Sequence, residues 1–192
     1  MLRFPSMPET KPDIAAALKK LIALCEKPPP RGVSKRLDRL FEEIAARKLK
    51  RSAEDIGDLI WGIWTDHPDE AAVDTMHEAI GKIIAKDGRT ARELLDDLCA
   101  RWPDWAEAYN KRATLAFIEE RDADAVADIL ETLAREPRHY GALAGFGQIA
   151  LRQGQPAAAL AAWEKALALN PHLSDLALAA DDLRELFQAR PN

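Results

Sequence analysis

A chain of 192 residues with 47% apolar and 31% charged residues can bury the core of one helical domain. Its net charge of −5 at pH 7 argues against a phosphate-binding face for nucleic acid, and no apolar run approaches a membrane span. Two widely separated cysteines, Cys25 and Cys99, match no metal or redox spacing.

Residues 1–12, broken by prolines and polar side chains, are expected to be mobile. Asp13 can cap a helix running to about Glu26, with Ile14, Leu18, Leu21, Ile22 and Cys25 on one face. Pro28-Pro29-Pro30 reads as a stiff spacer. Ser34 opens a helix bearing Leu37, Leu40, Phe41 and Ile44, and Ser52-Ala-Glu-Asp55 resembles a capping box for the next. The cluster Arg47-Lys48-Leu49-Lys50-Arg51 between them reads as a solvated turn. The second helix ends in Ile60-Trp61-Gly62-Ile63-Trp64, whose tryptophans share a face. They are expected to form a seam to the helices beyond, with an aromatic contact for a partner as the alternative.

From there the chain is periodic. Pro68, Pro103, Pro137 and Pro171 each stop a helix at the same phase. Twelve positions before the last three lie Ala91, Ala125 and Ala159, and eight before lie Leu95, Ile129 and Trp163. A helix over about 70–86 is followed by Thr90-Ala-Arg-Glu93 as a capping box, and Asp104 is placed to cap the helix after Trp102-Pro103. Helix pairs 105–119 with 123–135 and 140–153 with 156–169 follow. In the first unit Gly81 fills the small mid-helix position, ten before Ala91, which implies a turn shortened by two. In the last unit Gly147 implies a close approach by the partner helix, with Ala159 facing it and Trp163 beside. Ser174–Ala189, with Leu176, Leu178, Leu183, Leu186 and Phe187, reads as an amphipathic cap over the array's open end.

The stretch Tyr140–His172, with Gly147, Gly154, Ala159, Trp163 and Pro171 in order, resembles a tetratricopeptide repeat (TPR), a helix–turn–helix unit of about 34 residues. Ala106–His139 resembles it too, through Tyr109, Ala113, Ala125 and Pro137, but carries Arg112 and Glu120 where leucine and glycine are usual. The resemblance implies an all-α solenoid of stacked antiparallel helix pairs. It divides the chain into an N-terminal helix and spacer (1–33), a degenerate helical pair (34–70), three repeats (71–173) and a capping helix (174–192).

The resemblance further implies a non-enzymatic module that holds a partner protein or peptide in the concave groove lined by the first helix of each repeat. The positions carried over are Glu78 and Lys82, then Asn110, Thr114 and Phe117, then Ala144, Gln148 and Arg152, with Trp61 and Trp64 as a possible second contact. Self-association through Trp61, Trp64 and helix 13–26 is the alternative. No cofactor or metal is expected: His139 and His172 lack further ligands, and Asp122 and Asp124 lack the rest of a calcium loop. The start MLRFPSMPETKP has no long apolar stretch, so a cytoplasmic protein is expected, or a periplasmic one if a leader has been removed.

Overall fold

The computed structural model describes residues 11–29, 35–46 and 48–189, and among them are ten α-helices and no strand. They are α1 (Ile14–Cys25), α2 (Lys35–Ile44), α3 (Ala53–Thr65), α4 (Glu70–Ile84), α5 (Gly88–Arg101), α6 (Ala106–Ile118), α7 (Asp122–Arg135), α8 (Tyr140–Arg152), α9 (Pro156–Leu169) and α10 (Ser174–Gln188). The expectations for residues 1–10, for Pro30, for Ser34 as a helix start and for Arg47 lie outside the described residues.

The repeats are built on one turn, used three times. After α4, α6 and α8 the chain passes through a residue of positive φ, at Lys86 (60°), Glu120 (60°) and Gly154 (71°). In each case the next amide reaches back to the helix, from Asp87 to Lys82 O, Arg121 to Ala116 O and Gln155 to Ala150 O. The left-handed residue's own amide also donates, from Lys86 to Ile83 O, Glu120 to Phe117 O and Gly154 to Leu151 O, which completes the pair of hydrogen bonds that ends a helix with a left-handed residue. The second helix then begins at Gly88, Asp122 or Pro156, each start one full period after the last. The first turn is therefore not shortened.

That register corrects the small position of the first repeat. Ala79, fully buried, lies one period before Ala113 and two before Gly147, whereas Gly81 faces open space. At Gly147 the close approach is real: a Cβ there would collide with the Trp163 indole. Ala91, Ala125 and Ala159 are all fully buried, each where its helix crosses its partner. Two caps also differ from expectation. Asp87, not Thr90, caps α5 by accepting from the Thr90 amide, and α6 starts after Trp105 with no side-chain cap from Asp104. Asp13 and Ser52 cap α1 and α3 as their residue types dictate.

The hairpins α4–α5, α6–α7 and α8–α9 stack in order, and α10 packs on α9. The N-terminal helices do not extend the stack; they wrap it. Helix α1 lies against α7 and α9, the second helices of two repeats, burying Ile14, Ala17, Leu21 and Leu24. The pair α2–α3 reaches the junction of α7 with α8, where Arg138 binds Asp38 at 2.8 Å and covers the Phe41 ring. Helix α3 also packs on α6, the first helix of its repeat.

Candidate functional site

Two crevices run along the inner faces of the first helices. The smaller separates α6 from α8 and is lined by Asn110, Ala113, Thr114, Phe117, Ala144, Gly145 and Gln148. The larger, of about 800 Å³, lies between α8 and α10. Gly141, Ala144, Gln148 and Leu151 form its α8 wall, and Asp175, Leu176 and Ala179 its α10 wall. Trp163 of α9 is at its base, held by a hydrogen bond from its indole N–H to Ala144 O at 3.1 Å. Trp61 of α3 stands at one end, where Gly141 leaves room for its ring.

The larger crevice exists because α10 is in phase as a first helix: Ser174 follows Tyr140 by one repeat period. Helix α10 buries Ala180 and Leu183, while Leu178 is 65% exposed and Leu186 and Phe187 are also exposed. Of the five large apolar residues named for this helix, Leu183 is buried and Leu176 is half-buried, packed against the core. Asp175 is the one formally charged side chain lining the crevice among the described residues.

The Trp61 end is fixed by a buried polar network. Glu107, fully buried, accepts from Asn110 Nδ2 at 3.1 Å and from His139 Nε2 at 2.9 Å, and pairs with Lys111 Nζ at 2.9 Å. His139 Nδ1 accepts from the Ala142 amide, so a neutral ring carries its proton on Nε2. Burial pushes the Glu107 carboxyl upward, but the hydrogen bond from His139 and the charge of Lys111 outweigh it and hold it below the ordinary carboxylate value. Trp64 stacks on His139 at 4.0 Å, its carbonyl accepts from the Trp105 indole at 2.8 Å, and Lys111 sits over Trp61. Both tryptophans thus serve the seam between α3 and the repeats; Trp64 is buried and offers no surface for self-association or for a partner.

The remaining carried-over residues divide. Ala144 and Gln148 line both crevices, Phe117 lines both, and Thr114 lines the smaller. Asn110, expected to face a ligand, is 6% exposed and committed to Glu107. Arg152 holds Asp122 and the Phe117 carbonyl and lies over the Phe117 ring, so it fastens the α6–α7 turn to α8. Glu78 and Lys82 stand outside both crevices; the residues one period before Asn110 and Thr114 are Met76 and Ile80. Sequence reasoning missed Trp163, Asp175, Leu176 and Ala179, although the one-period spacing of α10 from α8 was available to find the last three. No group of three or more His, Cys, Asp or Glu side chains able to hold a metal occurs among the described residues, and no helix there is long and apolar enough to cross a membrane.

No family model matches the chain. It is 32% identical over 171 residues to a TPR repeat-containing protein of Rhizobium etli, an alignment covering 89% of this chain and 84% of the relative. Members of that family are typically non-catalytic interaction modules. With three helical hairpins on one repeat period and this similarity over most of its length, the chain belongs to the tetratricopeptide-repeat proteins.

Proposed function

We propose that this protein binds a partner protein through an extended or helical peptide seated between α8 and α10, without chemistry of its own. The observation that carries the reading is the crevice itself: about 800 Å³, mostly apolar, with Trp163 at its base and a small Ala144 on its wall. Apolar concavities with a few placed polar groups are where ligands bury surface most effectively. Gln148 and Ser174 supply hydrogen-bonding groups at its rim. The chain's own described side chains leave this space open, whereas they occupy the inner face of α6 at Asn110.

The test is Ala144→Trp, which fills the crevice from a helix surface. Affinity capture with this variant is expected to lose the partners held by the parent, with melting temperature and helicity unchanged. Partners retained in full would overturn the assignment. Asn110→Ala and Arg152→Ala are poorer probes, because both residues hold the fold together.

A further inference from the structure

We infer that the occupant of the α8–α10 crevice is a basic amphipathic helix of a partner protein, its apolar face on Trp163 and its lysine or arginine flank against α10. This rests on the groove reading above and narrows it. The charge of one wall, the lack of any internal counter-charge and the poverty of backbone partners in the crevice carry it.

Only one wall is acidic. Gly141, Ala144, Gln148 and Leu151 of α8 line the crevice, and one repeat period later α10 carries Asp175, Leu178, Asp182 and Glu185. All of these α10 residues are exposed, and at helical spacing they fall in a stripe about 80° wide. The stripe starts at Asp175, which itself lines the crevice. An uncharged α8 wall thus faces an acidic α10 rim.

Nothing in the described chain neutralises that rim. From α6 to α10 the arginines Arg112, Arg121, Arg135, Arg138, Arg152 and Arg184 each hold an acid. Glu164 and Asp181, on the α9 side, are tied to Arg184. Asp175, Asp182 and Glu185 form no ion pair or side-chain hydrogen bond with any described residue. Carboxylates lined up beside an apolar floor favour a cationic ligand and repel an acidic one.

The backbone decides between helix and extended chain. The α8 wall from Gly141 to Leu151 is about 15 Å long at helical rise. An extended segment of that length brings roughly eight or more N–H and C=O groups into the crevice, each needing a partner. The lining offers few, chiefly the side chains of Gln148, His172, Ser174 and Asp175, and no strand edge occurs among the described residues. A helix satisfies its own backbone, and its apolar anchors at i, i+3 or i+4 and i+7 span about 10.5 Å, within the wall. The small Gly141, Ala144 and Ala179 let such a helix approach closely.

The probe is an end-blocked, fluorescein-labelled peptide of about sixteen residues, with leucines at that spacing, lysines flanking them and alanines elsewhere. One companion replaces the lysines by glutamates, and another places two prolines in the middle to bar the helix. Anisotropy titrations use the full chain at about 0.1 M ionic strength. The lysine peptide is expected to saturate, with both companions at least about tenfold weaker. Asp175→Asn together with Asp182→Asn should weaken the lysine peptide about fivefold. Ala144→Trp should abolish its binding, and circular dichroism should be unchanged in both variants. No saturation below roughly 1 mM, equal binding of either companion, or indifference to the paired asparagines would each overturn the inference. So would a dimer by light scattering that Ala144→Trp converts to a monomer, since a second copy would then fill the crevice. Partner capture lost in Ala144→Trp, with no preference for the lysine peptide over its companions, would leave the groove reading standing and remove this one. Capture and lysine-peptide binding both indifferent to Ala144→Trp would remove both.

Discussion

Helices α4 to α9 and helices α1 to α3 are held by different physics. In the repeats each helix finds its partner a few residues away, and the apolar positions recur with one period, so one hairpin predicts the next. The N-terminal helices find theirs far along the chain: Asp38 meets Arg138, Phe41 meets Tyr140, and Trp64 meets His139. The repeats show that local periodicity suffices to build a scaffold. The wrap shows that closing one end of its inner surface takes aromatic and charged residues at unrepeated positions.

The sharpest way to break this contrast is at Trp64, where the two regions meet. Trp64→Ala removes the ring stacked on His139 and leaves a cavity beside Phe41 and Tyr140. A loss of about 3–5 kcal/mol is expected for such a truncation. Hydrogen exchange should report it unevenly, with α2 and α3 losing protection while α8 and α9 keep theirs. Uniform loss across the chain would mean that the wrap and the repeats unfold as one unit.

Next in size is the network beneath Trp64. Glu107 has a folded pKa below its unfolded value of about 4.3, so its contribution is fully present above that value and is lost as pH falls through the folded one. Glu107→Gln should cost about 1–3 kcal/mol at neutral pH, because Lys111 loses its ionic partner and the amide cannot accept from every donor. The variant should also lose less stability than the parent as the solution is acidified through that range, followed by denaturant melts at each pH. An identical acid profile would remove Glu107 from the account.

Two glycines in different repeats sharpen the lesson within the array. Gly147→Ala drives a methyl group into the Trp163 indole and should destabilise by about 1–3 kcal/mol, less the gain of up to about 1 kcal/mol in helix propensity. Gly81→Ala meets nothing and should stabilise by about 0.5–1 kcal/mol. Thermal melts of the two variants should therefore move in opposite directions.

These glycines also show how far the sequence could be read. The all-helical array, its prolines and the crossing alanines were legible because each is enforced by a neighbour in the same hairpin. Choosing Gly81 over Ala79 as the small position moved the first repeat by two residues, and Glu78 and Lys82 moved with it. Both residues are small, and only tertiary contact with α5 distinguishes them. Asn110 carried the right register but the wrong exposure, because its commitment to Glu107 accompanies the His139 and Trp64 contacts contributed from other helices. Ala144 and Gln148 were recoverable, since both crevices they line are formed by repeat-phased helices.

The smallest effect comes from the turns, where the three repeats are most alike in geometry and least alike in residue. Lys86, Glu120 and Gly154 share the left-handed conformation, yet only the last is the residue type that adopts it freely. A side chain there costs roughly 1 kcal/mol relative to glycine, partly offset by the larger entropy glycine loses on folding. Lys86→Gly is therefore expected to stabilise by about 0.5 kcal/mol. Glu120→Gly should gain the same, because Glu120 is exposed and the ion pairs of that turn belong to Glu119, which holds Arg92 and Arg121. Denaturant midpoints resolve shifts of this size when the unfolding slope is unchanged. Gly154→Ala should move the midpoint the other way by about 1 kcal/mol. If it does not, the shared turn is not what sets the phase of the repeats, and the burden falls on the crossing alanines alone.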